Sequence, residues 1–152
     1  MFRILPKHIP RLVGCLFLYA AIYKLLYPGQ ATMGLVALDI PYKLATLIVT
    51  TTIVSELYLG VILISHIDLK YAISVSMGVM LLFTAYMCYL SSMANPPSCG
   101  CLGMTGIFKS NKEAALFGMF RNCVILWLLK LAYDYYSAKD LASVRRQPGA
   151  AA

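Results

Sequence analysis

Three features predict an all-α membrane protein: long apolar windows, too little charge to coat a water-facing surface, and basic residues gathered at the window ends. In a chain of 152 residues, 61% are hydrophobic and only 12% charged, about half the usual soluble share. A bilayer-spanning helix needs roughly 20 mostly apolar residues. Windows at 12–27, 44–65, 71–92 and 114–136 meet that need, the first with the help of its flanks. The expected architecture is an antiparallel bundle of four transmembrane helices, forming a single domain over 1–136.

The first window contains "LVGC" at 12–15, which has the form of a lipoprotein cleavage box. Such a box follows an apolar core, and here it follows "MFRILPKHIPR", so the window reads as an uncleaved helix. Pro28 and Gly29 break the chain after it, and Pro41 fixes the end of the segment that follows. The stretch 28–42 therefore predicts a short helix lying at the membrane interface, between the first two spans. The next linker, 66–70, is short enough to make spans two and three an antiparallel hairpin. After the fourth window, 137–152 is polar and ends in "QPGAAA", which predicts a loosely ordered cytoplasmic tail. The chain shows no internal repeat.

A net charge of +7 would suggest nucleic acid for a soluble domain, but here the basic residues flank the spans and report orientation instead. With the N-terminus inside, the inner side holds Arg3, Lys7, Arg11, Lys70, Lys139, Arg145 and Arg146, against Lys43, Lys109 and Lys112 outside. The positive-inside rule then places both termini in the cytoplasm and the loop between spans three and four outside.

Charges within the spans are informative because each costs at least a few kcal/mol in hydrocarbon. Lys24 lies near the outer end of span one, Glu56 within span two, and Arg121 with Asn122 in the outer half of span four. They should face one another or a polar cavity. Side chains lean toward a helix's N-terminus, so Lys24 on an outward-running helix and Glu56 on an inward-running one can converge, with Arg121 approaching from the same half. Ala20 and Ala21 beside Lys24, and Thr52 and Gly60 beside Glu56, would permit close backbone approach. The cluster reads either as chemistry or as glue within the bundle. Lys130 and Asp134 sit where Lys can snorkel and pair locally, among interfacial Tyr133, Tyr135 and Tyr136.

Cys99 and Cys101 lie in the outer loop "SMANPPSCGCLGMTG". Outside the cytoplasm two such thiols can be held as a disulfide, and closure across one residue gives a strained, easily reduced ring. Lys109 and Lys112 favour thiolate. A redox pair, a loop staple and a metal site all remain open, although two cysteines with no nearby histidine make a poor metal site. Ser74, Gly78, Leu81, Ala85, Cys88 and Ser92 form a heptad-spaced, mostly small stripe on span three, which would turn Cys88 into the bundle as a possible relay to the loop. Cys15 and Cys123 read as small apolar residues.

The motifs "YKLLYP" at 23–28, "SELYLGVILI" at 55–64, "CGCLG" at 99–103 and "FRN" at 120–122 together resemble the MauE branch of the DoxX-like membrane proteins, over most of residues 11–135. The resemblance implies a multi-pass protein of the bacterial inner membrane associated with periplasmic thiol chemistry and a thioredoxin-like partner. MauE proteins support maturation of the disulfide-rich small subunit of methylamine dehydrogenase. The positions carried over are Lys24, Glu56, Cys99, Cys101, Arg121 and Asn122. The apolar "LGMTGIF" after the C-x-C motif departs from the founding protein, so only the general role transfers and not the methylamine substrate.

The combined expectation is a lipid-embedded bundle whose periplasmic C-x-C loop, Cys99 and Cys101, exchanges disulfides with a thioredoxin-like protein and passes electrons to an acceptor. A quinone is a candidate acceptor. The alternative is a non-catalytic subunit packed in a larger membrane complex, with the cysteines as a staple. A small-solute carrier using the buried charges is a weaker third reading, since inverted repeats are absent.

Overall fold

The computed structural model describes residues 5–93 and 110–145. It consists of α1 (Leu5–Leu26), α2 (Pro28–Val36), α3 (Tyr42–Ser65), α4 (Leu69–Ser92) and α5 (Asn111–Arg145). All but α2 are long and apolar enough to cross a membrane. The 24 residues of α3 or α4 rise about 36 Å at 1.5 Å per residue, a little more than a hydrocarbon core of about 30 Å.

Two helices outrun the apolar windows that announced them. α1 starts at Leu5 and carries Lys7, His8, Arg11 and a fully buried Pro10 within it. α5 continues to Arg145, so residues 137–145 are helical rather than loosely ordered. Polarity ends a hydrocarbon crossing, but it does not end a helix, and the Ala, Lys, Leu and Arg of "SAKDLASVR" are good helix formers.

The short helix α2 opens on Pro28, whose missing N–H and fixed φ suit the first helical turn. It packs on α3 and α1. Between α3 and α4 the chain reverses through His66 and Asp68, both with positive φ (57° and 42°).

The four long helices form a ring in the order α1, α3, α4, α5. α1 packs most extensively on α3, and α4 on α5, while the α3–α4 and α1–α5 seams are lighter. A common core is drawn from all four, including Val13, Phe17, Leu63, Ile73, Met80, Ile125 and Leu129. The tightest crossing joins Gly14 and Gly60. A Cβ on Gly14 would lie 2.9 Å from the Gly60 carbonyl oxygen, and one on Gly60 would lie 2.8 Å from Leu18, so only glycine fits at both positions. At the α2 end of the bundle, Leu38 packs with Met87, Leu90 and Ala115, tying the α2–α3 link to the facing ends of α4 and α5.

The small-residue stripe on α4 does not face the bundle. Ser74, Gly78, Leu81, Ala85, Cys88 and Ser92 are all exposed, and the buried face is Ala72, Ile73, Ser76, Met80, Met87 and Leu90. The small residues that seat α4 lie on its partner instead. Ala115, Gly118 and Ala132 of α5 are buried, and Gly118 lies beside the side chain of Met87. Lipid tails are as apolar as leucine, so no hydrophobic force sorts apolar residues to the inside of a membrane bundle.

The outer surface is correspondingly apolar, with Leu12, Leu47, Val54, Val61, Leu82 and Trp127 exposed. Hydroxyls on this side are satisfied within their own helix: Thr46, Thr50 and Ser55 donate to the carbonyls of Tyr42, Thr46 and Thr51 at 2.8–2.9 Å.

Candidate functional site

Lys24 stands in the last turn of α1, where a cation suits the helix dipole, and Glu56 stands in the middle of α3. The two helices are antiparallel, so each side chain leans along its own helix toward the other. Lys24 Nζ donates to Glu56 Oε1 in a buried ion pair. Only 6% of Lys24 and 2% of Glu56 is accessible, which removes both from lipid and from bulk water. The ammonium also lies 5.2 Å from the ring centroid of Phe83 on α4, a cation–π distance.

The pair has a polar neighbour on α5. Arg121 donates to Asn122 Oδ1 through Nε (3.2 Å) and Nη2 (2.8 Å). Occupying Oδ1 in this way fixes the orientation of the amide, because only oxygen can accept from a guanidinium. Asn122 is 1% exposed, and its Nδ2 has no hydrogen-bond partner among the described residues; Glu56 Oε2 likewise has none.

Lys24, Glu56, Arg121 and Asn122 line one cavity of about 70 Å³, together with apolar side chains that include Phe17, Met80, Phe83 and Met87. Four elements, α1, α3, α4 and α5, therefore contribute to a single polar pocket inside an apolar bundle. Arg121 sits ten residues into α5, about 15 Å from its start at 1.5 Å per residue.

The four charged and amide residues singled out in the sequence thus meet at one place. Of the cysteines, Cys99 and Cys101 lie outside the described residues. Cys88 is exposed on the outward stripe of α4 rather than turned into the bundle, and Cys15 and Cys123 are exposed as well. The aromatic and methionine walls, Phe17, Phe83, Met80 and Met87, carried no signal in the sequence, being ordinary apolar residues in apolar spans. Gly14 drew notice only as part of "LVGC", whereas its role is the close crossing that brings α1 against α3 beside the ion pair.

A second polar contact closes the opposite end of the bundle. Arg11 Nε donates to His66 Nε2 at 2.8 Å, which requires that ring nitrogen to be unprotonated. Partial burial pushes the His66 pKa below its ordinary value, and the positive charges of Arg11, Lys7 and His8 push it the same way.

A ring of four apolar helices around a buried Lys–Glu pair defines an integral, multi-pass membrane protein. The family model for methylamine utilisation protein MauE matches residues 3–133, most of the chain, and the chain belongs to that family. No curated protein and no solved structure matches the chain.

Proposed function

We propose that this MauE-family protein is a thiol–disulfide relay of the bacterial inner membrane, exchanging electrons through Cys99 and Cys101 with a periplasmic thioredoxin-like protein and so supporting maturation of a periplasmic substrate. The observation that carries the reading is the place of the C-x-C motif in the chain. It lies in the segment joining Ser92 at the end of α4 to Asn111 at the start of α5, the end of the bundle toward which the Lys24, Glu56 and Asn122 cavity is displaced. The excess of basic residues at the other end supports an external position for that segment, with both termini cytoplasmic. Family membership supports the class of role.

Disulfide exchange runs through a mixed disulfide formed by an attacking thiolate. Removing one cysteine of a working pair leaves its partner able to form that adduct but unable to resolve it. Cys99→Ser and Cys101→Ser should therefore differ, with one of them trapping a thioredoxin-like protein in a covalent adduct on a non-reducing gel. If neither single mutant traps an adduct and both keep full function, the relay is excluded and the cysteines are a staple in an accessory subunit. Reporter fusions at Met104 and Ala138 check the compartment: the first should read as external and the second as cytoplasmic.

A further inference from the structure

We infer that the cavity between Glu56 and Asn122 is a binding site for the hydroxyl of a flat, lipid-soluble ring, a phenol or hydroquinone, and that it prefers this reduced form to the corresponding carbonyl. The inference does not depend on thiol exchange at Cys99 and Cys101.

Two unpaired atoms define the recognition. Asn122 Nδ2 is a donor and Glu56 Oε2 an acceptor, each in a side chain at least 98% buried, and each without a partner among the described residues. Both side chains line the same cavity. The carboxylate paired with Lys24 is an acceptor only. A hydroxyl satisfies both ends at once, since its oxygen accepts from Nδ2 and its proton goes to Oε2. A carbonyl satisfies Nδ2 alone and sets its own lone pairs against the carboxylate.

The walls select the rest of the ligand. Phe17 and Phe83 supply aromatic surface, and Met80 and Met87 supply polarizable, adaptable sulfur side chains, which together suit a flat aromatic better than an alkyl chain. The cavity's roughly 70 Å³ is about half the 150 Å³ of an engineered site that takes up benzene. It therefore admits the hydroxyl-bearing edge of a ring, with the remainder held in the mouth. Of the lining residues, Leu16 on α1 is 42% exposed and Ala20 on α1 and Arg121 on α5 are partly exposed, which points to a mouth on the lighter α1–α5 side. A mouth there, between two helices long and apolar enough to cross a membrane, would admit a molecule dissolved in the bilayer without its crossing water.

The test is ligand-dependent thermal unfolding of the purified full chain in lipid nanodiscs, with three probes: a decyl-substituted benzohydroquinone, its oxidised benzoquinone and n-decanol. The hydroquinone should raise the unfolding midpoint saturably and bind roughly tenfold more tightly than the quinone, the difference expected for one hydrogen bond to a charged group. Decanol should give no saturable shift. Asn122→Leu should abolish the preference for the reduced form. Because Asn122→Leu also changes a buried residue, Leu16→Trp provides a second arm: it narrows the mouth while leaving Glu56 and Asn122 in place, and should weaken hydroquinone binding, with the ligand-free midpoint measured alongside as the folding control. Equal binding of quinone and hydroquinone, or a saturable shift with decanol, would overturn the hydroxyl and ring assignment respectively. No shift with any probe would overturn the site itself. Since the readout is binding, these outcomes are separate from the trapping experiment on the cysteines.

Discussion

At Glu56 one carboxylate oxygen accepts from Lys24 while the other has no hydrogen-bond partner among the described residues, so neutralising the residue acts chiefly on the ion pair. Glu56→Gln leaves the Lys24 ammonium buried without a counter-ion, a change that costs about 3 to 5 kcal/mol when one partner of a buried pair is removed. The double variant Lys24→Met/Glu56→Leu removes both charges and should be clearly more stable than Glu56→Gln alone, as measured by unfolding in detergent micelles. If the double variant is the less stable, the pair contributes net stability and not merely mutual compensation. His66 gives the pH-dependent counterpart. Its folded pKa lies below the ordinary 6.5, so between the two values the unfolded chain binds more protons than the folded one. The stability contributed by the Arg11–His66 contact is present above about pH 6.5 and is lost as pH falls through that value toward the folded pKa. Unfolding midpoints measured from pH 8 to pH 5 should fall over this window. His66→Asn, which tolerates the left-handed backbone at this turn, should flatten the profile there. At this scale the sequence was most legible where charge was involved: a Lys and a Glu in apolar spans require partners, and they found each other. The unpaired Nδ2 of Asn122 was not legible, because it depends on which side of one amide Arg121 occupies.

Between elements, close approach is decided by where side chains are missing. A Cβ at Gly14 would strike the α3 backbone at Gly60, and one at Gly60 would come within 3.0 Å of the Gly14 carbonyl oxygen. Gly14→Ala should push α1 away from α3 and destabilise the protein by about 1 to 3 kcal/mol. Gly78, by contrast, meets nothing within 4 Å of an added Cβ, and Gly78→Ala on that exposed helical face should be neutral or stabilising, by up to about 1 kcal/mol. Unfolding midpoints of the two variants side by side check the assignment: equal effects would mean that α4 presents its small-residue stripe to the bundle after all. Reading that stripe as inward failed for a physical reason. In water an apolar periodicity points to the core, but within lipid both sides of α4 are apolar, and its orientation follows from packing against α5, where Met87 lies beside Gly118 and Ala115. That packing involves two segments far apart in sequence and cannot be read from either one.

Taken whole, the molecule is two closely packed helix pairs, α1 with α3 and α4 with α5, meeting along lighter seams that enclose the polar cavity. Span number was legible because length and apolarity alone impose it, and the short helix α2 because Pro28, Gly29 and Pro41 bound its segment. Pairing was not, since the short α3–α4 hairpin suggests that those two helices should be the closest neighbours and they are among the more loosely joined. The ion pair also has a history in time. Lys24 leaves the ribosome 32 residues ahead of Glu56, an interval of about 2 to 6 seconds at ordinary rates of synthesis. For that interval the cation has no counter-ion, and from the last turn of α1 it can reach the membrane surface by extending its side chain. α3 carries both the carboxylate and the Gly60 notch, so neutralisation of Lys24 and close packing of α1 become available in the same step of synthesis. Phe83, Arg121 and Asn122, on α4 and α5, are made only after both members of the pair. The order in which the helices are born thus supplies the counter-ion before the rest of the cavity that surrounds it.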